Sequence, residues 1–170
     1  MASAAEQGVN TTTQCVVVNL NDSQSEAVGD YYQLRRNIPL ENMIQARTHN
    51  NAATLSEAEF KLLQEQLNEQ IPAAVQAYVL TWLQPYRVAC MSITSAVALD
   101  YNQKYCSDGC KLTQESRYCE SARNQPMLEL WLRPIMMLAA TNLDNSRMLI
   151  DCGICSRWYD AKVYGIPVDH

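Results

Sequence analysis

Apolar residues along the chain fall into short blocks with two different spacings. "CVVVNL" (Cys15–Leu20) is an unbroken, β-branched run that predicts a strand buried on both faces of a parallel sheet. In "NDSQSEAVGDYYQLRRNIP", Asp22 or Ser23 can cap a helix, with Glu26 three residues after Ser23. Ala27, Tyr31 and Leu34 are its expected inner face, and Pro39 forbids continuation. "NMIQAR" predicts a second strand. "LSEAEFKLLQEQLNEQ" predicts the clearest helix, opened by a Ser56/Glu59 capping box and carrying a Phe60, Leu63, Leu67 stripe; Pro72 ends it. "AYVLTWL" predicts a third strand, "ITSAVAL" a small-residue helix packed closely on a sheet, and "RPIMMLAAT" a fourth strand. "NLDNSRMLIDCGI" predicts a helix with Asn142 and Asp144 as cap candidates, and "AKVYGI" a last strand.

Alternating strands and helices give an α/β fold, expected as a Rossmann-like three-layer sandwich with a mainly parallel sheet. Residues 1–14 read as a disordered polar leader. Residues 15–170 read as a single α/β domain with a long cysteine-bearing loop at 102–126. In such sheets ligands bind beyond the carboxyl ends of the strands. "NLNDSQS" lies at one such end and faces a helix N-terminus. That makes Asn19, Asn21, Asp22 and Ser23 the candidate ligand-binding residues. Glycine is absent there until Gly29, so neither the dinucleotide fingerprint nor the phosphate loop is present, and no cofactor is implied.

A net charge of −5, with lysines and arginines scattered, shows no basic face and argues against nucleic acid as a partner. The apolar runs are interrupted well short of the ~20 residues a membrane span needs. "MASAAEQGVNTTTQ" lacks the charged and apolar regions of a signal peptide.

Seven cysteines stand out. Cys15 and Cys90 have apolar neighbours. Cys106 and Cys110, with Cys152 and Cys155, have spacings that a structural zinc site accepts. Cys106 and Cys110 can instead close a local disulfide across "SDG", or all can be free thiols. "DCGICS" has redox spacing, but it is expected near a helix C-terminus, where the dipole opposes a thiolate. Ser92, Thr94 and Ser95 lack the nucleophile-elbow glycines and a nearby histidine, so tight helix–sheet packing explains them better. His49 reads as a solvated loop residue, and Trp82, Trp131 and Trp158 as packing residues.

"VVVNLNDSQSEAVGDYYQLRRNIPLENMI", "QPYRVACMSITSAVALDYNQKYCSDGC" and "RPIMMLAATNLDNSRMLIDCGI" together resemble an uncharacterised bacterial exported-protein family. The first half of that family is distantly similar to the α/β part of gingipain-like and caspase-like cysteine peptidases. The resemblance implies an exported or envelope-associated origin, and with it a Cys106–Cys110 disulfide. It also implies a chain that stops early, incomplete at its C-terminus, with an exposed sheet edge and self-association. The peptidase dyad is not evident, because only His49 and His170 are available. The expected function is therefore non-catalytic binding or scaffolding. The alternatives are a cysteine hydrolase using Cys90 or Cys152 with His49, and a zinc-stabilised domain.

Overall fold

The computed structural model describes residues 9–49, 51–106, 112–116, 132–138 and 140–164, with the backbone alone for 155–164. Strand β1 (Gln14–Asn19) is buried from Cys15 to Asn19. A strand covered on both faces has no polar side, so its apolar run is continuous rather than alternating. It pairs in parallel with β2 (Met43–Ala46) on one edge and with β4 (Ala77–Leu80) on the other. β7 (Ile135–Met137) adds to β4, also in parallel, giving the order β2-β1-β4-β7. The chain is thus an α/β protein with a mainly parallel sheet, as its pattern predicts. Two-residue strands β3 (Thr54–Leu55), β5 (Arg87–Val88) and β6 (Met91–Ser92) form a second, small sheet. Strands that short carry no readable period, and the sequence gives no sign of them.

Helix α1 (Ser23–Arg36) carries the chain from β1 outward to β2. Helix α2 (Glu57–Gln70) carries it back across β1 to β4. Right-handed crossovers in opposite directions place the two helices on opposite faces. On one face Val16, Val18 and Val79 pack with Val28 and Tyr32 of α1 and with Ile150 of α4 (Leu143–Tyr164). On the other, Cys15, Val17, Tyr78 and Leu80 pack with Phe60, Leu63 and Leu67 of α2, and with Ile93 and Ala96 of α3 (Ile93–Leu99). Burying each of the three α2 side chains stabilises the fold by about 1.5–3 kcal/mol.

The helix ends follow from local chemistry. Ser56 Oγ accepts from the Glu59 N–H at 3.3 Å, and the Glu59 carboxylate accepts from the Ser56 N–H at 2.8 Å. These bonds from Ser56 hold the Glu59 carboxyl below the usual carboxylate range. Asp22, rather than Ser23, caps α1, accepting from the Gln24 N–H at 3.0 Å. Asn37 ends α1 in the left-handed conformation, with φ 51°.

Two expectations change. The inner face of α1 is Ser25, Val28, Gly29 and Tyr32, while Leu34 is 70% exposed. Close approach to β1 selects a small serine and a glycine at the contact, residues that an apolar stripe leaves out. Residues 161–164, expected in a strand, continue α4, because no cap or proline stops that helix earlier. Residues 1–8 of the expected leader lie outside the described residues, and residues 9–13 turn into β1. Asn10 Oδ1 accepts from the Thr12 and Thr13 N–H groups, and Thr13 O accepts from the Gln76 N–H at 2.6 Å. Most of the expected loop at 102–126 lies outside the described residues.

On the outer surface α1 and α4 are latched by side chains. Asp151 accepts from Tyr31 Oη at 2.9 Å and from Arg35 Nε at 2.8 Å. The hydrogen bond to Asp151 raises the Tyr31 phenol, and the same bond, with Arg35, lowers the Asp151 carboxyl.

Gly29 sets how closely α1 approaches the sheet. A Cβ there would lie 2.5 Å from Val18 Cγ2, a β-branched core atom that cannot swing away. Gly29→Ala is therefore expected to lower unfolding free energy by about 1–3 kcal/mol in urea melts, despite the better helix propensity of alanine. A stabilised variant would mean α1 can shift freely on β1.

Candidate functional site

The strand order reverses between β1 and β4, and that switch point is where an open α/β sheet offers a crevice. Here the described polar groups bond to one another. The Asn19 N–H donates to Ser25 Oγ at 2.8 Å, Ser25 Oγ lies 2.8 Å from Thr81 Oγ1, and Thr81 Oγ1 donates to the Val17 carbonyl at 3.1 Å. The two outer bonds fix the direction of the chain, so the Ser25 hydroxyl donates to Thr81. Asn19 Oδ1 accepts from the Asn21 N–H at 3.2 Å and from the Thr48 N–H at 3.1 Å, tying the end of β1 to the loop after β2. Asn21 Nδ2 donates to the Thr48 carbonyl, Asp22 is the cap, and Ser23 is exposed at the first turn of α1. Gln24 Nε2 donates to the Ala140 carbonyl at 2.8 Å, closing α1 onto the segment after β7. Asn19, Asn21, Asp22 and Ser23 do gather at one strand end, and three of them serve internal bonds there. Asn19 Nδ2 is a buried donor with no partner among the described residues.

The cysteines are arranged differently from the sequence expectation. Cys106 pairs with Cys90, with Cα atoms 5.4 Å apart, and not with Cys110, which lies outside the described residues. The β5–β6 turn carries Cys90 back to the 3₁₀ turn Gln103–Tyr105 that precedes Cys106, a juxtaposition that linear spacing does not reveal. This bond removes Cys106 from the four-cysteine zinc set and Cys90 from the role of nucleophile. Among the described residues no group of three or more His, Cys, Asp and Glu could hold a metal. Cys152 sits in the middle of α4, away from either helix end, exposed and free. His49 Nε2 lies 3.5 Å from Glu59 of α2, on the face opposite α4 and Cys152.

A cavity of about 420 Å³ opens at the other end of the sheet. Its walls include Gln64, Leu67 and Asn68 of α2, Val97 to Leu99 of α3, Tyr78, Asp100, Leu132 and Arg133. Arg133 is held from two sides. Its guanidinium stacks 5.6 Å above the Tyr78 ring, and Nε donates to the Val75 carbonyl at 3.0 Å. Asp100 ends α3 with φ 62° and ψ 152°, a backbone region that is essentially reserved for glycine. Its Oδ1 accepts from Gln64 Nε2. The cavity thus sets one cation and one carboxylate against the apolar side chains of Leu67, Val97 and Leu132.

Sequence reading missed this cavity. Its residues come from four separate segments, and none belongs to a spaced motif. One local sign exists: the helix "ITSAVAL" ends on Asp where glycine or asparagine is the usual residue.

A scan against protein-family models, a search of curated proteins and a search of solved structures each found no match to this chain.

The directional chain at the switch point makes Ser25 sensitive. Ser25→Ala strands the buried Asn19 N–H and is expected to cost about 1–3 kcal/mol in denaturant melts, whereas Ser23→Ala should stay within about 0.5 kcal/mol. Equal effects would contradict the chain.

Burial also pushes the Cys15 thiol up to about 12 from 9.0 and the Tyr78 phenol up to about 12 from 10.0. The unfolded chain ionises both at ordinary values and so sheds protons first. Stability from these groups is complete below pH 9 and is lost as pH rises from there toward 12. Iodoacetamide at pH 8 is expected to alkylate Cys152 in the native protein and Cys15 only after unfolding, read by peptide mass spectrometry. Labelling of Cys15 in the folded state would contradict its burial.

Proposed function

We propose that this chain is a non-catalytic binding domain of Rossmann-like, three-layer α/β architecture, and that it takes a small polar ligand in the cavity between α2, α3 and the amino ends of β4 and β7. One observation carries this reading. Asp100 holds a carboxylate at the cavity wall in a backbone conformation that costs of order 1–3 kcal/mol and that glycine would adopt without strain. Strain of that kind is characteristic of sites where a side chain must be presented. The volume falls within the ~300–1,000 Å³ of small-molecule sites. Leu67, Val97 and Leu132 offer apolar contact within a mainly polar lining, and Arg133 is already immobilised by its stack on Tyr78.

Binding rather than catalysis is supported by the state of the reactive groups. Cys90 is bonded to Cys106, burial keeps Cys15 protonated, and Tyr78 is far from ionising at neutral pH. Among the described residues that line the cavity there is no histidine and no cysteine.

The disulfide supports the same wall. Cys106 follows Tyr105, which also lines the cavity, and the bond closes a loop of sequence separation 16. Its reduction is expected to remove about 3 kcal/mol of stability.

Chemical-shift mapping with a mixed library of small carboxylates, amines and amino acids tests the reading. Shifts concentrated at Gln64, Asn68, Leu99 and Asp100 are expected. Shifts gathered instead at Asn19–Ser23, or at no one place, would contradict the cavity as the binding site.

A further inference from the structure

We propose that the cavity recognises a free α-amino acid with an apolar side chain. This inference rests on the binding reading above and names its ligand. A zwitterion needs an anion-binding and a cation-binding group in one enclosure, held apart so that they do not neutralise each other. Arg133 and Asp100 line the same cavity, and each is anchored to a different partner. Arg133 is fixed by the Tyr78 ring, by a hydrogen bond to the Tyr78 side chain and by Nε donating to the Val75 carbonyl, and its remaining terminal N–H groups are the carboxylate donors. Asp100 gives Oδ1 to Gln64, so the carboxylate is oriented while Oδ2 can receive an ammonium.

The surroundings select the same ligand. The carboxyl ends of α2 and α3 reach this cavity, and their exposed carbonyls favour an ammonium near Asp100. Leu67, Val97 and Leu132 form the apolar wall for a side chain of moderate size. A phosphate or dinucleotide fits poorly, since Arg133 is the one basic residue among the described lining residues and Asp100 lines the same cavity. The strain at Asp100 has a reason on this account. A glycine there would relax the backbone and lose the ammonium contact.

Isothermal titration with L-leucine tests the inference. It is run beside 4-methylpentanoate, which lacks the ammonium, and 3-methylbutylamine, which lacks the carboxylate. Saturable binding of L-leucine, with both half-ligands weaker by about tenfold or more, is the expected result. Asp100→Gly is expected to melt at a higher temperature than the natural protein and yet to lose leucine binding by about tenfold or more. Arg133→Gln is expected to lose it as well. The higher melting temperature separates a lost contact from a damaged fold. Half-ligand binding equal to that of L-leucine would overturn the zwitterion inference and leave the cavity reading standing. Asp100→Gly with natural leucine affinity would overturn it too. No saturable binding of L-leucine at millimolar concentration would overturn the amino-acid inference, while the cavity reading stands or falls on the shift mapping above.

Discussion

The fold depends on burying β1 from every direction. Cys15 to Asn19 are buried, with Val16 and Val17 flanked by a strand on each edge, so five consecutive backbone units must find their hydrogen bonds inside the protein. Parallel pairing with β2 and β4 meets that demand along the strand. Where the strand ends, the Asn19, Ser25, Thr81 and Val17 chain meets it with side chains. Gly29 then lets α1 come close enough for Ser25 to reach the strand end at all. The central strand, the glycine and the hydroxyl pair are one constraint expressed at three positions.

That constraint has a consequence for function. At the switch point, where an α/β sheet usually accepts its ligand, the described polar groups serve to satisfy β1. The open volume lies instead at the amino ends of β4 and β7. There the last turns of α2 and α3 diverge, and the Cys90–Cys106 bond holds the adjoining wall. The expectation drawn from fold geometry and the cavity in the structure thus stand at opposite ends of the same sheet.

The main sheet and its helices were legible in the sequence because burial leaves a period. The Val16–Val18 run, the Phe60, Leu63, Leu67 stripe and the Ser56/Glu59 box each report a local physical requirement. The inner face of α1 was not legible, because its contact is made by Ser25 and Gly29, whose roles are a hydrogen bond and an absent Cβ rather than hydrophobicity. The end of α4 was misread because "KVYGI" alternates over too few residues to outweigh a helix already under way. The Cys90–Cys106 pair and the meeting of Tyr78, Asp100 and Arg133 depend on tertiary placement, and no spacing along the chain encodes either. The Asn19–Ser23 cluster was found from sequence. Its internal bonding was not, since pairing Asn19 with Thr48 requires knowing that β2 lies beside β1.

The central claim is that the strained Asp100 and the stacked Arg133 together form a ligand site. A crystal structure of the full chain soaked with L-leucine tests it most directly. The account predicts electron density for the amino acid inside the cavity, its carboxylate on Arg133 and its ammonium on Asp100, with Asp100 keeping its positive φ. An empty cavity with Asp100 relaxed to negative φ, or leucine seated at the Asn19 end of the sheet, would contradict it.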